Sequence, residues 1–195
     1  MTATPHTPAP RPPGPDTPAA HTPAPRPPAA RIPAGRLTLE GVSPSAAAGL
    51  RAGGGGGFAW LGGEPFEGTR EAAGMTARAY ANGVHRPEFG LYVLVRRTDG
   101  LAVGSMGFHA APDDDGRTEI GYDLVEAARG QGYATEALRA LAGWALARDD
   151  VRRLFAVVEH ANAPSRAVLE RAGFVQVGEG EGEYAYELRG RPHLT

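Results

Sequence analysis

In the stretch EAARGQGYATEAL, residues 126–138, a cationic Arg129 precedes two glycines separated by a single residue, Gly130 and Gly132, and a run of strong helix formers. Bare backbone feeding a helix N-terminus presents several N–H groups to one point, with the positive end of the helix dipole behind them. Such a point suits a phosphate or pyrophosphate: the glycines let its oxygens approach without meeting a Cβ, and the guanidinium can pair with the anion. An ATP- or GTP-binding loop is excluded because no GK[ST] follows. A dinucleotide fingerprint needs GxGxxG directly after its strand, whereas Thr135 stands at the third glycine position and EAAR intervenes. Glu159, at the end of the next strand, does lie where a ribose-binding acid would be. That reading, and a turn with a purely structural role, stand beside the phosphate one.

Composition removes other chemistries. There is no cysteine, so disulfides, thiolate metal sites and a cysteine nucleophile are absent. The six histidines show no HExxH pairing, so no metal is expected. No GxSxG elbow occurs, and GSMG at 104–107 lies inside a strand pattern. A net charge of −2 argues against nucleic acid as a partner. Every cation other than histidine is arginine, a bias in keeping with a GC-rich genome.

The elements that must hold the turn occupy residues 36–190. Twelve of the eighteen prolines fall in the first 33 residues, where HTPAPRPP occurs twice. Residues 1–35 are therefore expected to be an extended, disordered tail, solubilising or recognised by a proline-binding partner. No signal-peptide core and no bilayer-spanning stretch is present, so the expectation is a soluble, cytoplasmic protein with no membrane partner.

Beyond the tail, RLTLEGV (36–42) alternates as a strand, and SPSAAAGLRAG (43–53) starts a helix with a Ser cap and a Pro at the first helical position. A glycine-rich segment leads to a helix over 69–81, then strands at 89–97 and 101–110 joined through TDG. A strand at 118–125 runs into the quoted turn and a helix of about twenty residues. Strand 152–159 is apolar on both faces, helix 162–173 has an Asn cap and a terminal Gly173, and 174–189 reads as a hairpin. The fold class is α+β: a mixed, mostly antiparallel sheet of about seven strands with four helices, strands 118–125 and 152–159 being parallel neighbours.

Arg129-x-x-Gly132-x-Ala134 resembles the [QR]xxGx[GA] loop of the GNAT N-acetyltransferase superfamily, with EIGYDLV before it and NAPSRAVLERAGF (162–174) after the next strand. The last segment is similar to the NxxSxxxxxxxGF signature of the ribosomal-protein alanine acetyltransferase branch. The resemblance covers roughly residues 36–189 and is most specific over 118–174.

It implies acetyl-CoA as co-substrate and direct transfer to an amine, without an acyl-enzyme. The pyrophosphate would lie on Arg129, Gly130, Gln131, Gly132, Tyr133 and Ala134, the thioester carbonyl on backbone N–H near Leu124 and Val125, and the pantetheine against Asn162 and Ser165. A bulge would splay strand 118–125 from 152–159. A base is needed because an alkyl ammonium has a pKa of roughly 10. Glu119, Gly121 and Asp123 share one strand face, and Glu119 matches the glutamate that serves several relatives as base. Asp123 and His109 are reserves, and the alternative for Glu119 is an ion pair with Arg117 or Arg153.

Many relatives carry an acid tyrosine seven residues after the asparagine, but Leu169 stands there, which leaves Ser165 as the candidate acid or a mere helix cap. The segment 53–68 would cover the acceptor as a glycine-rich flap, with Phe58, Trp60 and Phe66 lining a pocket or anchoring the loop in the core. Glu64, Glu67 and Asp113–Asp115 would attract a cationic amine or merely solvate turns. The acceptor is a primary amine, on a small molecule or a protein N-terminus. The rival function is an acyl-CoA-binding module without turnover, acting as sensor or interaction domain. A homodimer through the 174–189 hairpin is a further expectation.

Overall fold

The computed structural model describes residues 30–190, so residues 1–29 of the tail expected over 1–35 lie outside them. Strands β1 (Arg31–Ala34), β2 (Leu37–Gly41), β3 (Leu91–Arg96), β4 (Ala102–Phe108), β5 (Arg117–Leu124), β6 (Arg153–Glu159), β7 (Val175–Glu179) and β8 (Glu183–Arg189) form one sheet. Their order is β1-β2-β3-β4-β5-β6-β8-β7. All neighbours are antiparallel except β5 and β6, which are parallel as their helical crossover requires. Four α-helices accompany it: α1 (Pro44–Arg51), α2 (Glu67–Ala81), α3 (Tyr133–Leu146) and α4 (Ala163–Ala172). None of the helices among the described residues is long and apolar enough to cross a membrane.

The additional strand is β1, drawn from residues expected to belong to the tail. Ile32 and Ala34 are buried, and β1 pairs with β2 from Arg31↔Glu40 to Ala34↔Leu37. Pro33 hides this strand from a sequence reading, yet proline is tolerated at a sheet edge, where its missing N–H costs no ladder bond. The expected boundary at residue 36 thus cuts through a hairpin. At the other edge lies β7, with Val175 and Val177 exposed. Helix α3 has 14 residues rather than about twenty, because Ala147 caps it and Arg148, Asp149 and Asp150 turn the chain toward β6.

Local chemistry explains the helix ends near the site. The Ser43 side chain accepts from Ala46 N–H at the start of α1, and Asn162 Oδ1 accepts from Ser165 N–H at the start of α4. Phe66, at the N-cap of α2, has no side-chain acceptor to offer. Helix α2 packs on α1, β3 and β5, whereas α3 packs on β1, β2, β5, β6 and α4. Along β5 the alternation therefore sends Asp123 toward Thr69 of α2 and Tyr122 toward Ser165 of α4, on opposite faces of the sheet.

Candidate active site

Strands β5 and β6 pair only at Arg117↔Arg153, Thr118↔Leu154 and Glu119↔Phe155. Beyond Glu119 they part, while β5 stays in unbroken register with β4 as far as Gly104↔Leu124. The strands therefore splay without the expected bulge, simply because β6 turns to pair along its whole length with β8. His109 N–H donates to Glu119 O and Val125 N–H to Val103 O, so the odd-numbered residues of this stretch face β4. By the alternation of an antiparallel ladder, the N–H groups of Tyr122 and Leu124 face the opening. Of the two donors expected near the thioester, Leu124 N–H is available and Val125 N–H is engaged.

A groove on the α3 and α4 side runs from this opening past the glycine turn. Its walls include Tyr122, Leu124, Arg129, Gly132, Asn162 and Ser165, and its volume is about 1490 Å³. Gly130 and Gly132 are left-handed, at φ 72° and 82°, a region that a Cβ disfavours. The first helical bond of α3 is Glu136 N–H to Gly132 O, at 3.1 Å, which leaves the N–H groups of Tyr133, Ala134 and Thr135 without intrahelical acceptors. Arg129 Nε donates to Leu124 O at 3.2 Å, and its guanidinium lies 4.8 Å from the Phe66 ring centroid.

Gln131 shapes the turn: its Nε2 donates back to Ala127 O and its carbonyl accepts from Arg36 Nη2. Arg36 also pairs with Glu136 at 2.8 Å and covers the buried Tyr133 ring, so the β1–β2 turn braces the start of α3. Free amides, left-handed glycines, an arginine and an open slot between two strands fit a pyrophosphate carrying an extended chain. Among the described residues no cluster of three or more His, Asp or Glu side chains is placed to hold a metal ion.

On the α2 side a second cavity, of about 480 Å³, is walled by α2, residues 84–91, β4 and β5. Tyr122 and Asp123 line both spaces, so groove and cavity meet at those two residues. The rim at 84–91 is pinned from outside. Phe89 packs edge-on against Phe108 at 5.3 Å, and the Arg86 guanidinium is held between Glu88 and Asp150 at 2.9 and 2.8 Å.

The candidate bases separate clearly here. Glu119 does not line the cavity; its Oε1 lies 3.3 Å from His109 Nδ1, and neither Arg117 nor Arg153 is its partner. Arg117 instead covers the Phe155 ring, and Arg153 lies 3.9 Å from Asp115. The His109 imidazole lines the cavity and sits over Gly121, where a Cβ would meet Nε2 at 2.8 Å. Asp123 is a strut: its Oδ1 accepts from Thr69 Oγ1 at 2.7 Å and from Ser105 Oγ at 3.2 Å. It thereby supplies to α2 the polar anchor that Phe66 lacks. Its Oδ2 is buried without a partner, and burial pushes its pKa up, outweighing the hydrogen bonds that pull it down.

The Tyr122 hydroxyl lies 2.7 Å from Ser165 Oγ and donates to Ser165 O at 3.1 Å. Burial, only partly offset by the Ser165 bond, pushes its pKa up to about 12. Leu169 is buried in the core, and the phenolic hydroxyl against α4 is that of Tyr122, on Ser165. Sequence reading assigned Tyr122 no role, although alternation from Asp123 turns it toward the groove. The glycine-rich segment is anchored: Trp60 is buried, donates to Gly55 O at 2.9 Å and bridges to Ala102, and Phe58 packs on the core. Only Phe66 of the three aromatics reaches the groove. Glu64 pairs with Arg70, and Asp113 Oδ1 accepts from the Asp115 and Arg117 N–H groups, closing its own turn.

This fold and slot define a class. A family model described as acetyltransferase (GNAT) domain matches residues 36–175, and the chain belongs to that family. An uncharacterised N-acetyltransferase of Bacillus subtilis (strain 168), YjdG, is 38% identical over 87 residues, 45% of this chain and 52% of that protein. The chain spans about half the length of the curated relatives it matches. Among solved structures, RimL, a ribosomal L7/L12 alpha-N-protein acetyltransferase in complex with coenzyme A, superposes with a TM-score of 0.58 at 22% identity, over 82% of this chain and 98% of that one. A ribosomal-protein-S5-alanine acetyltransferase from Vibrio fischeri superposes with a TM-score of 0.60 at 16% identity, over 84% of this chain and 98% of that one. At these identities the likeness is one of fold.

Proposed function

We propose that the protein transfers acetyl from acetyl-CoA directly to a primary amine, in a complex that holds both at once. The observation carrying this reading is the meeting of two spaces at Tyr122 and Asp123, one fitted to a pyrophosphate and chain, the other open to an acceptor. Bound in the groove, acetyl-CoA supplies a thioester carbonyl for the amine to attack. Arg129 and the amides at the start of α3 would hold the pyrophosphate. Leu124 N–H, which faces the opening, would hold the carbonyl oxygen.

His109 would take the proton from the amine through Nε2, with Glu119 at Nδ1 fixing the ring's tautomer and stabilising its cation. Glu119 is thus a positioning residue. Ser165, in contact with the Tyr122 hydroxyl, would return a proton to the leaving sulfur; a thiol with a pKa near about 8.5 needs little assistance.

The cavity also indicates which amine. Among the described residues lining it, the Arg86 guanidinium is occupied by two carboxylates, and burial lowers the pKa of His85 so that its ring stays neutral. Asp123 and Glu71 carry the remaining formal charge. A carboxylate next to the acceptor amine would find no cation, so the site suits a peptide N-terminus or a decarboxylated amine rather than a free amino acid. The names of the two ribosomal-protein acetyltransferases with this fold favour the N-terminus.

The test is release of CoA thiol in the presence of acetyl-CoA and matched acceptors: alanine, alaninamide and short C-terminally amidated peptides. Faster turnover of the amidated acceptors is expected. Equal or faster use of free alanine would overturn the acceptor assignment. Absence of turnover on every amine, with acetyl-CoA still bound, would favour a binding module over an enzyme.

A further inference from the structure

Two arginines on the helical wall of the groove have no carboxylate to answer them. Arg139 of α3 and Arg171 in the last turn of α4 both line the groove and are exposed. Arg139 Nη2 donates to the Arg171 carbonyl oxygen, which brings the two residues together and leaves the other guanidinium donors of Arg139 free. Neither makes an ion pair among the described residues, and the one acid on that wall, Glu136, is taken by Arg36 at 2.8 Å. Two arginines lining one groove without a counter-ion make its wall positive, and a bound dianion would neutralise that charge. Between them the wall offers the small apolar side chains of Ala140 and Val168, which do not obstruct an approaching ligand.

Building on the cofactor reading above, we propose that Arg139 and Arg171 clamp the 3′-phosphate of the CoA ribose, a phosphomonoester dianion. With the pyrophosphate on the turn at Arg129–Ala134, the ribose is attached directly to it, and its 3′-phosphate must lie within about one sugar's width of that turn. Arg139 stands seven residues beyond Gly132, roughly 10 Å along the helix axis at a rise of about 1.5 Å per residue. Helical side chains lean toward the N-terminus, which carries the guanidinium back toward the turn. Two forked guanidinium groups match a phosphate's oxygens, and the carbonyl end of α4 favours a cation where Arg171 sits. The chain then reads the 3′-phosphate and selects CoA over donors that lack it.

The test is calorimetric titration of the full chain with CoA and with 3′-dephospho-CoA. The wild type is expected to bind CoA at least about tenfold more tightly, the scale of one or two charge-assisted bonds. In the Arg139→Ala/Arg171→Ala double variant the two ligands should bind within about twofold of each other, with the affinity for dephospho-CoA unchanged, which also shows that the fold is intact. Equal wild-type affinities would overturn the clamp while leaving the groove assignment standing. Discrimination retained in the double variant, or an equal loss of both ligands, would overturn the assignment to these arginines. Binding of neither ligand by the wild type would overturn the clamp and the cofactor reading together.

Discussion

The groove proposed for the cofactor and the cavity proposed for the acceptor share a wall but are built differently. The floor of the groove is largely backbone: the turn at Arg129–Gly132, the first amides of α3 and the unpaired edge of β5 come from residues 120–135, one continuous stretch of chain, and side chains of α3 and α4 complete its wall. The cavity is assembled from side chains of α2, the 84–91 segment, β4 and β5, from Gly68 to Asp123. Backbone groups impose one geometry on any sequence that can make the turn, whereas side chains can be exchanged singly. The donor site is therefore expected to be generic and the acceptor site particular to this chain.

The sharpest way to break that comparison is at His109. His109→Ala should lower kcat/KM by about a thousandfold, the middle to upper range for loss of a positioned base, with calorimetric CoA affinity unchanged. A matching loss of CoA binding would show that the two spaces are not separable. Gly132→Glu is the converse experiment: a side chain at φ 82° and a carboxylate facing the pyrophosphate should weaken CoA binding at least about a hundredfold.

Glu119→Gln should cost about ten- to a hundredfold in kcat with calorimetric CoA affinity unchanged, because a glutamine orients His109 without the carboxylate's charge. An effect on KM alone would remove Glu119 from proton transfer. Tyr122→Phe removes the hydroxyl beside Ser165 and should lower kcat by about tenfold or less, since thiolate departure needs little acid.

The smallest effect concerns stability. The folded pKa of Asp123 is raised, so its contribution is fully present below the unfolded value of about 3.9 and is lost as pH rises through the folded value. Asp123→Asn keeps an acceptor for Thr69 and Ser105 without the buried charge. Its Tm at pH 7 should exceed that of the wild type by about 2–4 °C per kcal/mol recovered, with the gain vanishing near pH 3. A lower Tm at pH 7 would mean that the strut needs its charge.

Legibility in the sequence follows the same division. The Asn162 and Ser43 caps, the stop at Gly173 and the parallel β5–β6 pair were readable because each depends on residues close in the chain. The partner of Glu119 was not: Arg117 and Arg153 were the nearer choices by sequence and strand pairing, yet the antiparallel register of β4 and β5 delivers His109. The glycine-rich segment 53–68 allowed a flap or a loop anchored by its aromatics, and a buried Trp60 with its indole on Gly55 O, with Phe58 on the core, makes it the second. Strand β1 escaped notice because proline disguises an edge strand as tail.

By itself, the sequence determined that this chain carries a GNAT domain with a bare-backbone turn at the start of a helix, because left-handed glycines and a helix start are local demands of the backbone. Tertiary structure alone decided that Glu119 meets a histidine, that Asp123 braces α2, and that the Tyr122 hydroxyl meets Ser165. Those outcomes depend on strand register and on which face of β5 each side chain takes, and register is a property of paired strands rather than of either strand alone.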